Sequence, residues 1–150
     1  MAIYQSILLA IDLHPNCDDL TAKRAFDMAN QCGAKLSIIH AVEHINAYGV
    51  AQAYPTVIDL EDQMLKEAQE GLAKLAAKYN IPADQQFVEI GSPKNVILNK
   101  ASEVKADLIM VGSHGRHGIS LLLGSTANAV LHHAHCDILA VWLDDHQHKA

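Results

Sequence analysis

The chain has 150 residues, of which 50% are hydrophobic and 19% are charged, a composition typical of one globular domain and not of a disordered chain. Its 11 Lys and Arg residues against 17 Asp and Glu residues give a net charge of −6, which argues against an extended nucleic-acid surface or an anionic membrane as a partner. We therefore expect a single domain over residues 1–150, with a polar tail from residue 144.

The N-terminus and the cysteines predict a cytoplasmic protein. The start enters an apolar run of only a few residues, with no basic lead and no small-residue cleavage site, so it does not resemble a signal peptide. Cys17, Cys32 and Cys136 make an odd number without a C-x-x-C pair, which suits a reducing compartment. The longest stretch without a formal charge, His117–Cys136, contains two glycines and several histidines and is not expected to cross a membrane.

The first half of the chain predicts a strand, a helix, a second strand and a long loop. The run Ser6–Asp12 is almost continuously apolar, as expected of a strand buried on both faces. Helix-start residues from Asn16 to Asp19 and a C-terminal cap at Gly33 enclose apolar residues at helical spacing, and Lys35–Val42 again has strand composition. Residues 44–57 carry no clear period and are predicted to form a loop.

The second half continues the alternation. A second helix is predicted to open at Asp59 and Glu61 and to end before Ile81. The remaining predicted elements are a weak strand at Gln86–Ile90, a helix capped by Ser92 with Pro93 first, a strand at Asp107–Val111, a helix at Ser125–His135 with Ala127, Val130, Leu131 and Ala134 inward, and a last strand at Asp137–Leu143. This order implies one doubly wound α/β domain, a parallel sheet with helices on both faces. Such sheets bind ligands at the carboxyl ends of their strands.

A glycine-rich segment follows the predicted strand that ends at Val111. Glycines 112, 115, 118 and 124 precede Ser125 and Thr126 at a helix start, and Arg116, flanked by His114 and His117, is the one formal charge between Leu108 and Cys136. Glycines let backbone amides approach an anion, and a helix N-terminus favours a phosphate; a turn-rich connector is the alternative interpretation. Neither G-x-x-x-x-G-K-[ST] nor G-x-G-x-x-G is present, which disfavours a P-loop ATPase and a dinucleotide dehydrogenase.

Four segments together resemble the universal stress protein family: Ile7–Asp12, Ser37–Val42, Gly112–Thr126 and the closing strand Cys136–Val141. The resemblance covers nearly the whole chain. It implies a single five-stranded parallel sheet of order 3-2-1-4-5. Members of the family commonly dimerise through the last strand. The apolar composition of Ile138 to Leu143, with Trp142 available as an anchor, also predicts a homodimer, because an uncovered edge of this kind would otherwise promote aggregation.

Many members of that family bind ATP through a motif G-x-x-G-x9-G-[ST]. Carried over by position, the motif places Gly112, Gly115, Gly124 and Ser125 at the phosphates and ribose, Asp12 at the ribose or the metal–phosphate region, and the backbone around Ala41 and Val42 at adenine. The full set of candidate nucleotide-binding residues is Ala10, Ile11, Asp12, Ala41, Val42, Gly112, His114, Gly115, Arg116, Gly124, Ser125 and Thr126. Between Gly115 and Gly124 this chain has eight residues where the family motif has nine.

The resemblance implies a stress-response regulator or sensor that binds ATP or AMP, with or without Mg²⁺, as a homodimer. Two alternatives stay open: a nucleotide-free dimeric interaction protein that has lost the site, and an enzyme with slow ATPase activity or self-phosphorylation at a hydroxyl near Ser120, Ser125 or Thr126. No general base or Walker lysine is evident, so no catalytic residue is assigned. His132 and His135 are interpreted as helix-end residues and not as metal ligands.

Overall fold

The computed structural model describes residues 3–13, 17–44, 54–112 and 125–142. In these ranges strands and helices alternate: β1 Ser6–Ala10, α1 Cys17–Cys32, β2 Lys35–Val42, α2 Tyr54–Lys78, β3 Gln86–Ile90, α3 Pro93–Glu103, β4 Leu108–Gly112, α4 Ser125–His133 and β5 Asp137–Val141. A short 3₁₀ turn at Ala83–Gln85 precedes β3. None of the helices in these ranges has the length and apolar character needed to cross a membrane.

The five strands form one parallel sheet in the order β3-β2-β1-β4-β5, which confirms the predicted fold. β1 lies in the middle, with β2 on one side and β4 on the other. The chain therefore builds the sheet outward from β1 in two directions. The strand order reverses between β1 and β4, and this is the position where parallel sheets of this kind open a crevice at their carboxyl edge.

Alternate side chains of the strands enter two separate apolar clusters. Ile7 and Leu9 of β1 pack with α1 and α2 on one face, whereas Leu8 packs with α3 and α4 on the other. The central strand is therefore apolar on both sides, as its continuous apolar run predicts. Helices lie on both faces of the sheet, as expected.

Helix α2 begins earlier than predicted. It starts at Tyr54, inside the segment interpreted as a loop, so Asp59 and Glu61 do not open it. The reason lies in packing: among its described side chains, Ala68 is the first that is buried, whereas Leu60 and Met64 are exposed. The described side chains from Asp59 to Glu67 are exposed or half-buried, and a helical stretch that is not buried needs no apolar period.

Three smaller expectations were also wrong in detail. Ser92 occupies the N-cap position of α3 but makes no side-chain capping hydrogen bond. Leu131 is 48% exposed and does not belong to the inward face of α4. The ends of β1, α4 and β5 each fall short of the predicted bounds by a residue or two, because the periodicity marks the buried stretch more sharply than its ends.

Candidate functional site

The carboxyl edge of the sheet brings six of the twelve predicted site residues together. Leu9 of β1 pairs with Met110 of β4, and Ala10 pairs with Ile39 of β2. Two residues further along each of these strands, the chain reaches the same edge. The residues that meet there are Ala10, Ile11, Asp12, Ala41, Val42 and Gly112.

Small side chains line this edge on the face covered by α3 and α4. Ala10, Ala41 and Ala140 are half-buried there, each two residues beyond a larger residue of the same strand, namely Leu8, Ile39 and Ile138. Gly112 adds no side chain at the end of β4. None of these four residues therefore carries a side chain larger than a methyl group. Ala140 was not predicted as a site residue, although it lies two residues after Ile138 in the last predicted strand and therefore on the same face.

The turn after β1 is held to β2 by two hydrogen bonds. The amide of Ile11 donates to the carbonyl oxygen of Ile39 at 2.9 Å. The carbonyl oxygen of Ile11 lies 2.7 Å from Nδ1 of the buried His40. Because a carbonyl oxygen can only accept, the hydrogen is on Nδ1 of the neutral or charged ring. His40 was not predicted as a site residue. The feature that could have indicated it is a polar side chain inside a largely apolar strand.

The residue after Asp12 has an unusual backbone. Leu13 has φ of 59°, a left-handed conformation that costs a non-glycine residue free energy and is frequent at functional sites. Its side chain packs against the cluster shared with α1 and α2. It also lies beside Gly71 of α2, where an added Cβ would be 3.7 Å from Leu13 Cδ1. The turn that carries the half-buried Asp12 is therefore anchored on both sides.

A groove of about 390 Å³ lies beside Val42 at the same end of the sheet, lined by Glu43, His44, Gly91, Ser92 and Pro93. The carbonyl oxygen of Val42 accepts a hydrogen bond from the amide of Gly91 at 2.9 Å. His44 Nδ1 lies 3.1 Å from Glu61 Oε2, which connects the rim of the groove to α2. The groove offers an open recess next to the backbone that the resemblance assigns to adenine.

On the other side of β1, strand β4 ends at Gly112 and helix α4 begins at Ser125. The helix start at Ser125 and Thr126 is confirmed. His114, Gly115, Arg116 and Gly124 lie outside the described residues, so their part in a phosphate loop stays a prediction. In the part of the chain that the structure describes, no three His, Cys, Asp or Glu side chains are grouped to hold a metal ion.

These features define a doubly wound α/β domain with a candidate ligand site at its topological switch point. The model of the universal stress protein family matches residues 3–141, and the chain belongs to that family. A relative from Coxiella burnetii, Universal stress protein A homolog 2, is 48% identical over 92% of this chain and 94% of its own. Homolog 1 of the same organism is 39% identical over 95% and 99%.

Solved structures show the same fold. Universal stress protein UspA from Lactobacillus plantarum superposes with a TM-score of 0.79 at 24% identity, covering 94% of this chain and 99% of its own. A universal stress protein in complex with cAMP superposes with a TM-score of 0.60 at 29% identity, covering 93% and 97%. One member of similar sequence and fold thus binds an adenine nucleotide.

Proposed function

We propose that this protein is a stress-response regulator that binds an adenine nucleotide, ATP or AMP with or without Mg²⁺, and acts as a homodimer. The observation that carries the nucleotide proposal is the carboxyl edge at the switch point. There Ala10, Ala41 and Gly112 are half-buried and carry no side chain larger than a methyl group, and α4 begins at Ser125 after a glycine-rich segment.

The parts of a nucleotide match the parts of this edge. Adenine would lie against the backbone of Ala41 and Val42, next to the groove lined by Glu43 and His44. The phosphates would approach Gly112 and the N-terminus of α4, where unpaired amides and the helix dipole favour negative charge. Arg116, predicted to lie in the same loop, would add a positive charge.

Asp12 is assigned to the ribose hydroxyls or to a cation on the phosphates. A carboxylate accepts hydrogen bonds from hydroxyl groups. Mg²⁺ is usually held by one or two carboxylates together with phosphate oxygens and waters. A single carboxylate beside a phosphate site therefore fits either role, and Mg²⁺ would there neutralise phosphate charge.

The chemistry of a relative supports the ligand class. The protein solved in complex with cAMP is 29% identical to this chain and covers nearly all of it. cAMP shares adenine, ribose and a phosphate with ATP and AMP. A comparison of these three ligands will therefore show which phosphate arrangement this edge accepts.

Nucleotide binding is tested by isothermal titration calorimetry of ATP, AMP and cAMP, each with and without MgCl₂. Ala10→Leu fills the space at the edge and is expected to abolish binding. Ala77→Leu, the same substitution at an exposed position of α2, is the matched control and is expected to bind as the wild type does. Absence of heat with all three ligands at millimolar concentration would refute the proposal.

The homodimer is proposed to form through β5. This strand lies at the edge of the sheet, and an uncovered apolar edge promotes association. Trp142, directly after β5, is 65% exposed, and Leu131 of α4 is 48% exposed. Sedimentation velocity should show a dimer at micromolar concentration and a monomer for Trp142→Glu. Ile3→Glu, at a 78% exposed residue before β1, is the control, and a monomeric wild type would contradict the proposal.

A nucleotide-free interaction protein is the second candidate. The eight-residue spacer between Gly115 and Gly124, one shorter than the family motif, favours it. The two candidates differ in thermal unfolding. A nucleotide binder gains stability with rising ATP concentration, and Asp12→Ala reduces that gain. A nucleotide-free protein shows the same melting temperature at every ATP concentration.

A further inference from the structure

The end of the β1–β2 ladder is made by a side chain. Ile11 follows the last residue of β1, and its amide still bonds to Ile39. In a continued parallel ladder the carbonyl of Ile11 would accept from the amide of Ala41. Here it accepts from the ring of His40 instead. The ring closes the ladder at the point where the two strands lead into the proposed nucleotide site.

The position of His40 makes this contact well defined. The residue is 6% exposed, and its Nδ1 to carbonyl distance of 2.7 Å is short for a bond of this type. Water has little access to compete for the carbonyl, so the bond constrains its direction strongly. The peptide plane that this carbonyl fixes joins Ile11 to Asp12.

The opposite side of the turn is held by packing. Leu13 keeps its left-handed backbone while its side chain contacts the α1 and α2 cluster beside Gly71. Such a conformation persists only where the surroundings fix it. Asp12 thus lies between a hydrogen-bonded carbonyl and a packed side chain, and its backbone has little freedom.

We propose that His40 is a positioning residue for nucleotide binding, which it promotes by fixing the Ile11–Asp12 peptide so that Asp12 meets the ligand in one geometry. This inference rests on the proposed function and adds to it a residue that does not touch the nucleotide. It predicts that loss of the ring N–H raises the Kd for the nucleotide by a larger factor than loss of a hydrogen bond that only stabilises the fold.

The test compares three variants by calorimetry with whichever adenine nucleotide the wild type binds best. His40→Leu removes the donor and keeps the position apolar. His40→Asn restores an amide N–H close to the place of Nδ1. Tyr4→Phe removes a hydrogen bond from Tyr4 to Asp137 Oδ2, 2.9 Å long, at the opposite end of the sheet. We expect about a tenfold rise in Kd for His40→Leu, a smaller rise for His40→Asn, and no change for Tyr4→Phe.

A second readout needs no ligand. Amide hydrogen exchange of the free protein should be faster at Asp12 and Leu13 in His40→Leu than in the wild type, and unchanged there in Tyr4→Phe. If His40→Leu lowers only the melting temperature, with Kd and exchange at the turn unchanged, the residue is merely structural and the inference is wrong.

Failure of the proposed function gives a different pattern. A wild type that binds none of the nucleotides refutes that function, and with it the role of His40 in binding. Exchange at Asp12 and Leu13 then still decides whether His40 fixes the turn. A wild type that binds, together with His40→Leu of equal affinity, overturns the inference about His40 alone.

Discussion

Lys100 of α3 is a nearly buried cation that packs against β3. The distances from its ammonium group to three neighbouring side chains allow the effect of removing the charge to be predicted. Its side chain is 10% exposed, and Nζ lies 2.8 Å from Glu89 Oε2 and 2.6 Å from Glu103 Oε2. The same nitrogen lies 4.2 Å from the centroid of the Phe87 ring. Burial lowers the pKa of Lys100, the hydrogen bonds and charges of Glu103 and Glu89 raise it, and the net direction is upward.

The substitution Lys100→Met keeps most of the aliphatic stem and removes the charge. Glu89 and Glu103 have side chains 40% and 63% exposed, so each ion pair is screened and contributes about 0.5–1 kcal/mol. The cation–π contact contributes about 0.5–1 kcal/mol more. Both carboxylates remain hydrated after the change, so the larger cost of an unpaired buried charge does not arise. We expect the free energy of unfolding to fall by about 1.5–3 kcal/mol.

Urea denaturation at several pH values is the assay, with the exposed Lys74→Met as the matched control. A raised pKa in the folded state means that Lys100 stabilises the fold fully below its usual pKa of 10.5. That stabilisation is lost as the pH rises through the folded pKa. The difference in the free energy of unfolding between wild type and Lys100→Met should therefore be largest near neutral pH. It should shrink as the pH rises above 10.5 and through the folded pKa. A variant as stable as wild type at neutral pH, or a difference that persists at high pH, would refute the reasoning.

Four further substitutions test local stability by thermal or urea unfolding. Within the described residues the hydroxyl of the fully buried Ser37 has no hydrogen-bond partner, so Ser37→Ala should stabilise the protein by about 1 kcal/mol. Ser6→Ala removes a 3.0 Å hydrogen bond to a backbone carbonyl and should destabilise it. If both substitutions changed the free energy of unfolding in the same direction, this account would be contradicted. Asp107 accepts hydrogen bonds from two backbone amides at the start of β1, at 2.9 and 3.0 Å, and Asp107→Asn should cost about 1–2 kcal/mol; an unchanged midpoint would show that these bonds contribute nothing. Gly91 has φ of 154°, and an added Cβ would lie 3.0 Å from Val96 Cγ2, so Gly91→Ala should cost about 1–3 kcal/mol; a neutral effect would mean that the turn relaxes freely.

The sequence predicted two strands and the end of one helix most accurately. β2 and β3 have the predicted bounds, Lys35–Val42 and Gln86–Ile90. α1 ends at Cys32 before Gly33, whose φ of 67° is that of a C-terminal cap. The predictions failed at the start of α2, which begins at Tyr54, and at Leu131 on the exposed side of α4.

Half of the candidate site residues were predicted from their position at the ends of the predicted strands. Asp12 and Gly112 were predicted because each follows a buried strand, and parallel strands end at one edge. His40 and Leu13 could not be predicted in this way. The contact between His40 and Ile11 joins residues 29 positions apart, and the left-handed backbone of Leu13 depends on packing against α2.

The sequence by itself determined the alternation of strands and helices, the parallel sheet and the edge at which a ligand site is expected. These properties depend on which residues are apolar and at what spacing, and burial imposes that pattern locally. Only the tertiary structure decided that His40 ends the β1–β2 ladder, that small side chains line the edge, and that Glu89 of β3 lies beside Lys100 of α3. Each of these results from residues of different elements that the sheet and its crossovers bring together. Contacts between residues far apart in the chain leave no local hydrophobic pattern in the sequence.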